Sequence, residues 1–113
     1  MDLLAQTRQM ISRRETQCTG KSAVLYILQL SSGLLYVGST NNLFQRMADH
    51  SEGIACKTTR DDRPEALVYV EPHSTYSAAR KREAQIKRWS RAKKEALIRN
   101  DMETLRRLSK SRE

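Results

Sequence analysis

Five side chains that can transfer protons, bind anions or hold metal ions lie between positions 26 and 83 of the chain. They are Tyr26, Tyr36, Arg46, His50 and Glu83. A carboxylate can hold a divalent metal ion that polarises a phosphate and its leaving oxygen. An arginine can balance charge that develops on the phosphate, and a tyrosine or histidine with a lowered pKa can accept a proton from an attacking water. These are the residue types that metal-assisted hydrolysis of a phosphodiester needs.

A predicted β-hairpin places the two tyrosines on one face of a sheet. The run from Ser22 to Leu30 is mostly apolar, β-branched or aromatic and predicts a buried strand, and the segment LLYVG predicts a second one. Residues 31–33, SSG, fit a three-residue loop with the glycine in its left-handed position. This loop sets Tyr26 opposite Gly38 and makes Tyr36 its diagonal neighbour, at a backbone separation of roughly 7–8 Å. A two-residue loop would put the tyrosines on opposite faces.

The segment STNNLFQRMADHSEG predicts a helix that carries the arginine and the histidine. Residues 40–42 offer three candidates for its N-cap, and Gly53 lies just past its end. Arg46 and His50 are four residues apart and therefore share one stripe of this helix. The polar residues 55–65 that follow predict a loop, in which Lys57 and Thr59 are expected to line a cleft.

A later helix places a carboxylate where an apolar residue would be expected. Residues 66–71 predict a third strand that Pro72 ends, and a helix then runs over about residues 74–89. Glu83 lies at the centre of the helix face that holds Ala79 and Ile86. Because burial of an unpaired carboxylate is costly, an arginine or a bound metal ion should stand opposite it.

The order of these elements predicts an α/β sandwich of the α+β kind. A small three-stranded sheet with an N-terminal β-hairpin is flanked by helices, two of which follow residue 89. Residues 1–20 are interpreted as an N-terminal arm or short helix, with Leu3, Leu4, Met10 and Ile11 along one side. Residues 21–100 form the predicted main domain, and residues 101–113 a C-terminal helix or tail.

The length and composition exclude several classes of protein. A chain of 113 residues is long enough for one domain with one modest core. It has no apolar run that could cross a membrane and no secretory signal, so a cytoplasmic location is expected. Cys18 and Cys56 are far apart and are interpreted as reduced thiols. Two histidines and two cysteines at these spacings do not suit a zinc site.

The charge distribution predicts a polyanionic partner. The chain holds 21 basic and 13 acidic residues, which gives a net charge of +8 and a pI near 9.9. Basic residues concentrate between Arg80 and Lys94, either as a solvated face or as a track for the DNA backbone. The candidate nucleic-acid contacts are Ser39, Lys57, Lys87, Arg88, Arg91 and Lys93. Trp89 is interpreted as a packing residue rather than a stacking platform.

Taken in order, VLYIL, GLLYVGST, LFQRMADH and REAQIKRW resemble the GIY-YIG nuclease domain family over about Ala23 to Ile98. Tyr26 in VLY and Tyr36 in YVG match the tyrosines of the two name-giving tripeptides, although VLY lacks the glycine of the first. Arg46 matches the arginine of the family, Glu83 its metal-binding glutamate and His50 a histidine found in part of the family. REAQIK and the SRAKKEALI that follows are similar to small stand-alone bacterial members.

The resemblance implies a DNA endonuclease with one divalent metal ion, Mg²⁺ or Mn²⁺. Glu83 would be the protein ligand of the metal, Arg46 would steady the phosphate, and Tyr26 or Tyr36 would act as general base in a single-step, in-line attack by water. A tyrosine with a pKa near 10 is a poor base at neutral pH, so a cation or metal-bound hydroxide must help.

Two positions depart from the family pattern. Ser39 stands where the excision-repair branch has a lysine, and the late asparagine of the family has no clear match. His50 is therefore expected to hydrogen-bond to the base or to take the proton itself.

The alternative is a non-catalytic nucleic-acid-binding module of the same fold. The presence of both Arg46 and Glu83 favours the enzyme, because a lapsed enzyme would be expected to lose one of them. The expected partners are DNA of unspecified structure and either another protein or a second copy of this chain. DNA repair or recombination is the expected process, without a membrane.

Overall fold

A computed structural model describes residues 3–7 and 22–110 of the chain. Its strands form one antiparallel sheet in the order β2-β1-β3, where β1 is Ala23–Leu30, β2 is Leu35–Thr40 and β3 is Pro64–His73. Residues 3–7 are helical (α1), and the later helices are α2 (Leu43–Glu52), α3 (Lys57–Asp61), α4 (Tyr76–Lys87), α5 (Arg91–Ile98) and α6 (Met102–Lys110). The predicted α+β class with a three-stranded sheet is confirmed.

The hairpin has the predicted register. Tyr26 pairs with Gly38, and Leu28 pairs with Tyr36. The loop closes through a 2.9 Å hydrogen bond from the Gly33 amide to the Leu30 carbonyl, and Gly33 adopts a left-handed φ of 96°. An L side chain rarely takes this φ, so the glycine selects the three-residue loop that keeps both tyrosines on one face.

The third strand is longer than predicted. It begins at Pro64 and ends at His73, and Pro72 pairs with Val24 within it, so the expectation that Pro72 ends the strand is wrong. β3 lies at the edge of the sheet. An edge strand tolerates proline because the missing amide is not needed by a further strand.

The predicted loop over residues 55–65 contains the helix α3. Thr59 is its single buried residue, so no apolar periodicity marked it in the sequence. Asp62 anchors the end of α3 to the hairpin turn, because its carboxylate accepts hydrogen bonds of 2.9 Å from the Ser31 hydroxyl and 2.5 Å from the Ser32 hydroxyl.

Helices cover both faces of the sheet. On one face, Leu3 of α1 and Leu43 and Met47 of α2 pack in a cluster with Tyr26 and Leu28. Leu4 is 37% exposed, so it does not share the buried side with Leu3 as predicted. Met10 and Ile11 lie outside the described residues.

The opposite face of the sheet carries the three C-terminal helices. Ile27 and Val37 of the sheet pack with Ile86 of α4, Leu97 of α5 and Leu105 of α6. Polar side chains cap the N-termini of these three helices and of α2. The Asn42 side chain accepts a hydrogen bond from the backbone N–H of Gln45, Thr75 from that of Ala78, Ser90 from that of Lys93 and Asp101 from that of Thr104. In the described part of the chain, no helix is both long and apolar enough to cross a membrane.

Candidate active site

A cavity of about 230 Å³ opens at the β2 edge of the sheet. It is lined by Tyr26, Tyr36, Gly38, Ser39, Arg46, Tyr76, Arg80 and Glu83. Four of the five predicted catalytic residues therefore share one cavity, although they come from two strands and two helices. The fifth, His50, is fully buried and lies against the Tyr26 side chain.

Gly38 allows Tyr26 to reach the cavity. The two residues are paired across the hairpin, and the phenol of Tyr26 lies over the position that a side chain at residue 38 would fill. A Cβ atom there would stand 2.5 Å from the Tyr26 hydroxyl oxygen and 2.6 Å from Cζ. The glycine of the YVG segment is thus required by the ring of the paired strand.

The two tyrosines and the histidine form a compact aromatic group. The ring centroids of Tyr26 and Tyr36 are 6.4 Å apart, and that of His50 lies 5.7 Å from Tyr26 and 5.5 Å from Tyr36. Burial raises the pKa of both phenols above the ordinary value of 10, and Arg46 lowers these pKa values by less than burial raises them. Both phenols therefore stay protonated at neutral pH, and Arg46 alone does not lower the pKa of either below its ordinary value.

His50 is neutral at physiological pH. Burial lowers its pKa to about 4, and the positive charge of Arg46 acts in the same direction. The ring lies within hydrogen-bonding distance of two hydroxyl groups: Nε2 is 2.9 Å from the Tyr26 oxygen, and Nδ1 is 2.8 Å from Thr59 Oγ1. The predicted contact between the histidine and a candidate base is present in the structure.

Two residues at the start of α3 complete this group. Thr59, predicted to line the cleft, is fully buried behind it, and its hydroxyl lies 3.4 Å from the Cys56 sulfur. The Cys56 thiol in turn donates to the Tyr36 hydroxyl over 3.6 Å. Lys57 of α3 is exposed and pairs with Asp61 at 2.7 Å.

Glu83 lies on the far side of the cavity and is held by two neighbours. The Ser39 hydroxyl donates to Oε1 over 2.5 Å, and the Lys87 ammonium lies 2.7 Å from Oε2. Lys87 is half-exposed and one turn along α4. An arginine or a metal ion was expected opposite this carboxylate; the ion pair is instead with a lysine, and Arg46 lines the same cavity.

The donor set suits a hard divalent cation. Within residues 3–7 and 22–110, no group of three or more histidine, cysteine or carboxylate side chains could hold a metal ion, so Glu83 is the carboxylate available in the cavity. Mg²⁺ often binds through one or two carboxylates and keeps its remaining sites for water and substrate phosphate. One half-buried carboxylate beside an open cavity fits that mode.

The predicted basic track divides in space. Lys87 points to Glu83, and Arg88 is exposed at the end of α4. Arg91 donates to the Gly33 carbonyl over 2.7 Å, which places it at the hairpin turn. Ser39 is buried and bonded to Glu83, so its hydroxyl orients the carboxylate.

Lys93 does not join an accessible basic surface. It is 4% exposed, and its ammonium lies 4.4 Å from the centroid of the Trp89 ring, which is also covered by Arg82 at 5.2 Å. A lysine stem and head can be buried in this way when the cation rests on an aromatic face. The prediction that Lys93 contacts nucleic acid is therefore corrected, and Trp89 packs as expected.

Sequence reasoning missed three residues of the site. Tyr76 and Arg80 lie on the cavity side of α4, and Cys56 lies behind Tyr36. Arg80 was recoverable, because it stands three residues before Glu83 and so shares its helix face. Cys56 had no such signal, because Tyr36, through which it joins the site, is 20 residues away in the chain.

Comparison with known proteins places the fold and the site in context. Residues 22–96 match the GIY-YIG catalytic domain. A UPF0213 protein of Natronomonas pharaonis is 43% identical over 74 residues, which cover 66% of this chain and 87% of that protein. One from Syntrophus aciditrophicus is 42% identical over 82 residues, or 72% of this chain and 94% of that protein.

The chain is also similar to one solved structure. The solution NMR structure of a UPF0213 protein from Bacillus halodurans has 32% sequence identity and a TM-score of 0.46, and the match covers 68% of this chain and 82% of that one. The names of these relatives state neither a substrate nor a reaction. The domain match spans most of the chain and includes every residue that lines the cavity. The chain therefore belongs to the GIY-YIG family.

Proposed function

We propose that this protein is a metal-dependent DNA endonuclease that hydrolyses a phosphodiester by single-step, in-line attack of water. The observation that carries the proposal is one cavity in which Glu83, Arg46 and Tyr26 meet, with the neutral His50 behind Tyr26. These groups offer a metal ligand, an anion partner and a path for a proton. The polyanionic substrate agrees with the net charge of +8.

Glu83 would hold the metal ion, Mg²⁺ or Mn²⁺. The ion, when bound, supplies Lewis-acid activation of the phosphate. The 2.5 Å hydrogen bond from Ser39 keeps the carboxylate in place, and the half-exposed Lys87 can release the other oxygen. Lys87 then remains near the cavity as a second cation for the phosphate.

Arg46 and Arg80 would grip the phosphate from two sides. Arg46 comes from α2 and Arg80 from α4, and both line the cavity. Guanidinium groups match phosphate oxygens with paired N–H donors, and they stabilise the negative charge that grows during attack. The two arginines would therefore orient the scissile group against Tyr26.

Tyr26 would pass a proton from water to His50. Because the pKa of the phenol is raised, a tyrosinate is not available at neutral pH. The Tyr26 oxygen can instead take a proton from water while its own proton moves to His50 Nε2, 2.9 Å away. The attacking hydroxide forms as the imidazolium forms, and Tyr26 is neutral before and after. As the new P–O bond forms, the bond to the leaving oxygen breaks, and that oxygen takes a proton from solvent. The imidazolium, with a pKa of about 4, returns its proton through Tyr26 to solvent, and the site is reset.

The test is a cleavage assay with labelled single-stranded, duplex and branched DNA in Mg²⁺, Mn²⁺ or EDTA. We expect cleavage that requires the metal and falls by about 10²-fold or more in Glu83→Gln and in Arg46→Ala. DNA binding in EDTA should be largely kept by Glu83→Gln. Glu95→Gln is the matched control, since this carboxylate pairs with Arg91 on α5 at 2.9 Å. Cleavage that survives both site variants would refute the assignment.

A non-catalytic nucleic-acid-binding module is the second candidate. The ion pair between Lys87 and Glu83 favours it, because the lysine neutralises the carboxylate without a metal. Binding of all three DNA forms without cleavage in either metal would select this candidate. In both cases the proposed setting is cytoplasmic DNA repair or recombination, with a protein partner or a second copy of this chain supplying the targeting.

A further inference from the structure

A chain of polar contacts links the two tyrosines behind the cavity. It runs from the Tyr26 oxygen to His50 Nε2 (2.9 Å), from Nδ1 to Thr59 Oγ1 (2.8 Å), from there to the Cys56 sulfur (3.4 Å) and on to the Tyr36 oxygen (3.6 Å). His50 and Thr59 are both fully buried. The Thr59 hydroxyl is therefore the partner of Nδ1, since buried ring nitrogens need hydrogen bonds.

The tautomer of His50 decides whether it can receive a proton from Tyr26. A neutral imidazole carries one hydrogen, on Nδ1 or on Nε2, and the bond made by one nitrogen selects the state of the other. With the hydrogen on Nδ1, the bare Nε2 accepts from Tyr26. With the hydrogen on Nε2, the ring donates to the Tyr26 oxygen and has no lone pair for its proton.

Thr59 and Cys56 together favour the first state. A hydroxyl has one hydrogen, so Thr59 can accept from Nδ1–H if its own hydrogen points to a second acceptor. The Cys56 sulfur stands on its other side. Burial raises the pKa of this thiol, but hydrogen bonds at the sulfur, the largest of them from the Thr59 hydroxyl, outweigh burial and lower it.

In this arrangement the side chains of His50 and Thr59 each donate one hydrogen bond and accept one. Tyr26 donates to His50, His50 to Thr59, Thr59 to Cys56 and Cys56 to Tyr36, which leaves the Tyr36 hydroxyl hydrogen for the cavity. We propose that Thr59 and Cys56 are positioning residues that hold His50 in the Nδ1–H tautomer and so direct proton transfer from Tyr26. This inference rests on the proposed nuclease function, but the tautomer itself can be measured without DNA or metal.

The experiment reads the ring nitrogens of His50 by ¹⁵N NMR in the full chain. We expect the Nδ1–H form in the wild type and in Thr59→Ser, which keeps the hydroxyl. Thr59→Val keeps the shape but removes the acceptor, and it should shift the ring toward Nε2–H. Thr58→Val is the matched control, since Thr58 is an exposed neighbour on the same helix.

Single-turnover cleavage tests the consequence. Thr59→Val should slow cleavage by up to about 10²-fold, the range of a general base, while binding of a short oligonucleotide in EDTA stays unchanged. Thr59→Ser and Thr58→Val should cleave within a few-fold of the wild type. Cys56→Ala should shift the His50 tautomer and the cleavage rate in the same direction as Thr59→Val, but by a smaller amount. Cys56→Ser should restore both the tautomer and the rate.

An Nε2–H ring in the wild type would overturn the proposal, as would a Thr59→Val protein with unchanged ring state and rate. If Thr59→Val does not fold, the wild-type spectrum and the comparison of Cys56→Ala with Cys56→Ser still test the proposal. A wild type that cleaves no DNA would refute the proposed function, whereas the ring spectra would still support or refute the hydrogen-bond arrangement.

Discussion

At the scale of single residues, the site depends on the absence of a side chain at Gly38. Tyr26 belongs to the central strand, yet its hydroxyl lines a cavity at the edge of the sheet because Gly38 leaves its path open. The same path buries Tyr26 to 1% exposure, which keeps the phenol protonated. The absence of a side chain at Gly38 thus gives Tyr26 access to the cavity and also buries its phenol, which creates the need for a buried proton acceptor.

A methyl group at position 38 should displace the Tyr26 ring. Gly38→Ala places a Cβ atom 2.5 Å from the Tyr26 oxygen, so we expect a loss of about 1–3 kcal/mol in the free energy of unfolding and a loss of cleavage. Denaturant unfolding measures the first quantity. In a Tyr26→Leu background the alanine should cost much less, because the clashing end of the ring is gone. Equal costs in both backgrounds would show that the clash is not the cause.

At the scale of elements, α4 builds one wall of the cavity, and α3 supports His50 behind it. α4 contributes Tyr76, Arg80 and Glu83 from one face, and the guanidinium of Arg80 lies 5.8 Å from the centre of the Tyr76 ring. α3 is only five residues long, but it carries Thr59 behind the histidine. The short, polar helix α3 therefore supports the site, although no periodic pattern in the sequence predicted it.

Arg80 should contribute to nucleic-acid affinity. Arg80→Ala removes one cation from the cavity, so the affinity for an oligonucleotide in EDTA should fall. The slope of log K against log salt concentration should become shallower by about the contribution of one phosphate contact. Fluorescence anisotropy at several salt concentrations measures both. Lys81→Ala is the control, because Lys81 is an exposed neighbour that does not line the cavity. The assignment fails if the two variants lose the same affinity.

At the scale of the whole molecule, a buried titratable group couples the site to stability. His50 is faced by Tyr26 of β1, Tyr36 of β2, Arg46 and Asp49 of α2 and Thr59 of α3. Burial and Arg46 lower its pKa, whereas Asp49 raises it by less. The folded chain therefore disfavours a proton that the unfolded chain binds with a pKa near 6.5.

Stability should decrease as the pH falls. Above about pH 6.5 the ring is neutral in both states, so the contribution is complete; between pH 6.5 and 4 the unfolded state binds the extra proton and stability declines. A shift to about 4 corresponds to a total of about 3 kcal/mol. Urea unfolding at pH 7 and pH 5 measures the change, and His50→Gln separates it from carboxylate titration. Equal pH dependence in both proteins would contradict the prediction.

Much of the fold was predicted correctly from local sequence patterns. The position of Gly33 settled the loop length and therefore the register, and the cap candidates at residues 40–42 marked where α2 begins. These features depend on neighbours within a few residues, where steric and hydrogen-bond rules are strong. The full length of β3 was not predicted, because an edge strand tolerates the proline that was expected to end it. The helix α3 was not predicted, because its single buried threonine leaves no periodic signal.

What the sequence determined by itself is the hairpin register, the α+β class and the set of side chains that we propose bind a phosphate and a metal ion. What only the tertiary structure decided is how those side chains are charged and joined: a neutral His50 against Tyr26, a Glu83 shared by Ser39 and Lys87, and a buried Lys93 on Trp89. The physical reason is that pKa values and hydrogen-bond partners depend on burial and on contacts between residues far apart in the chain.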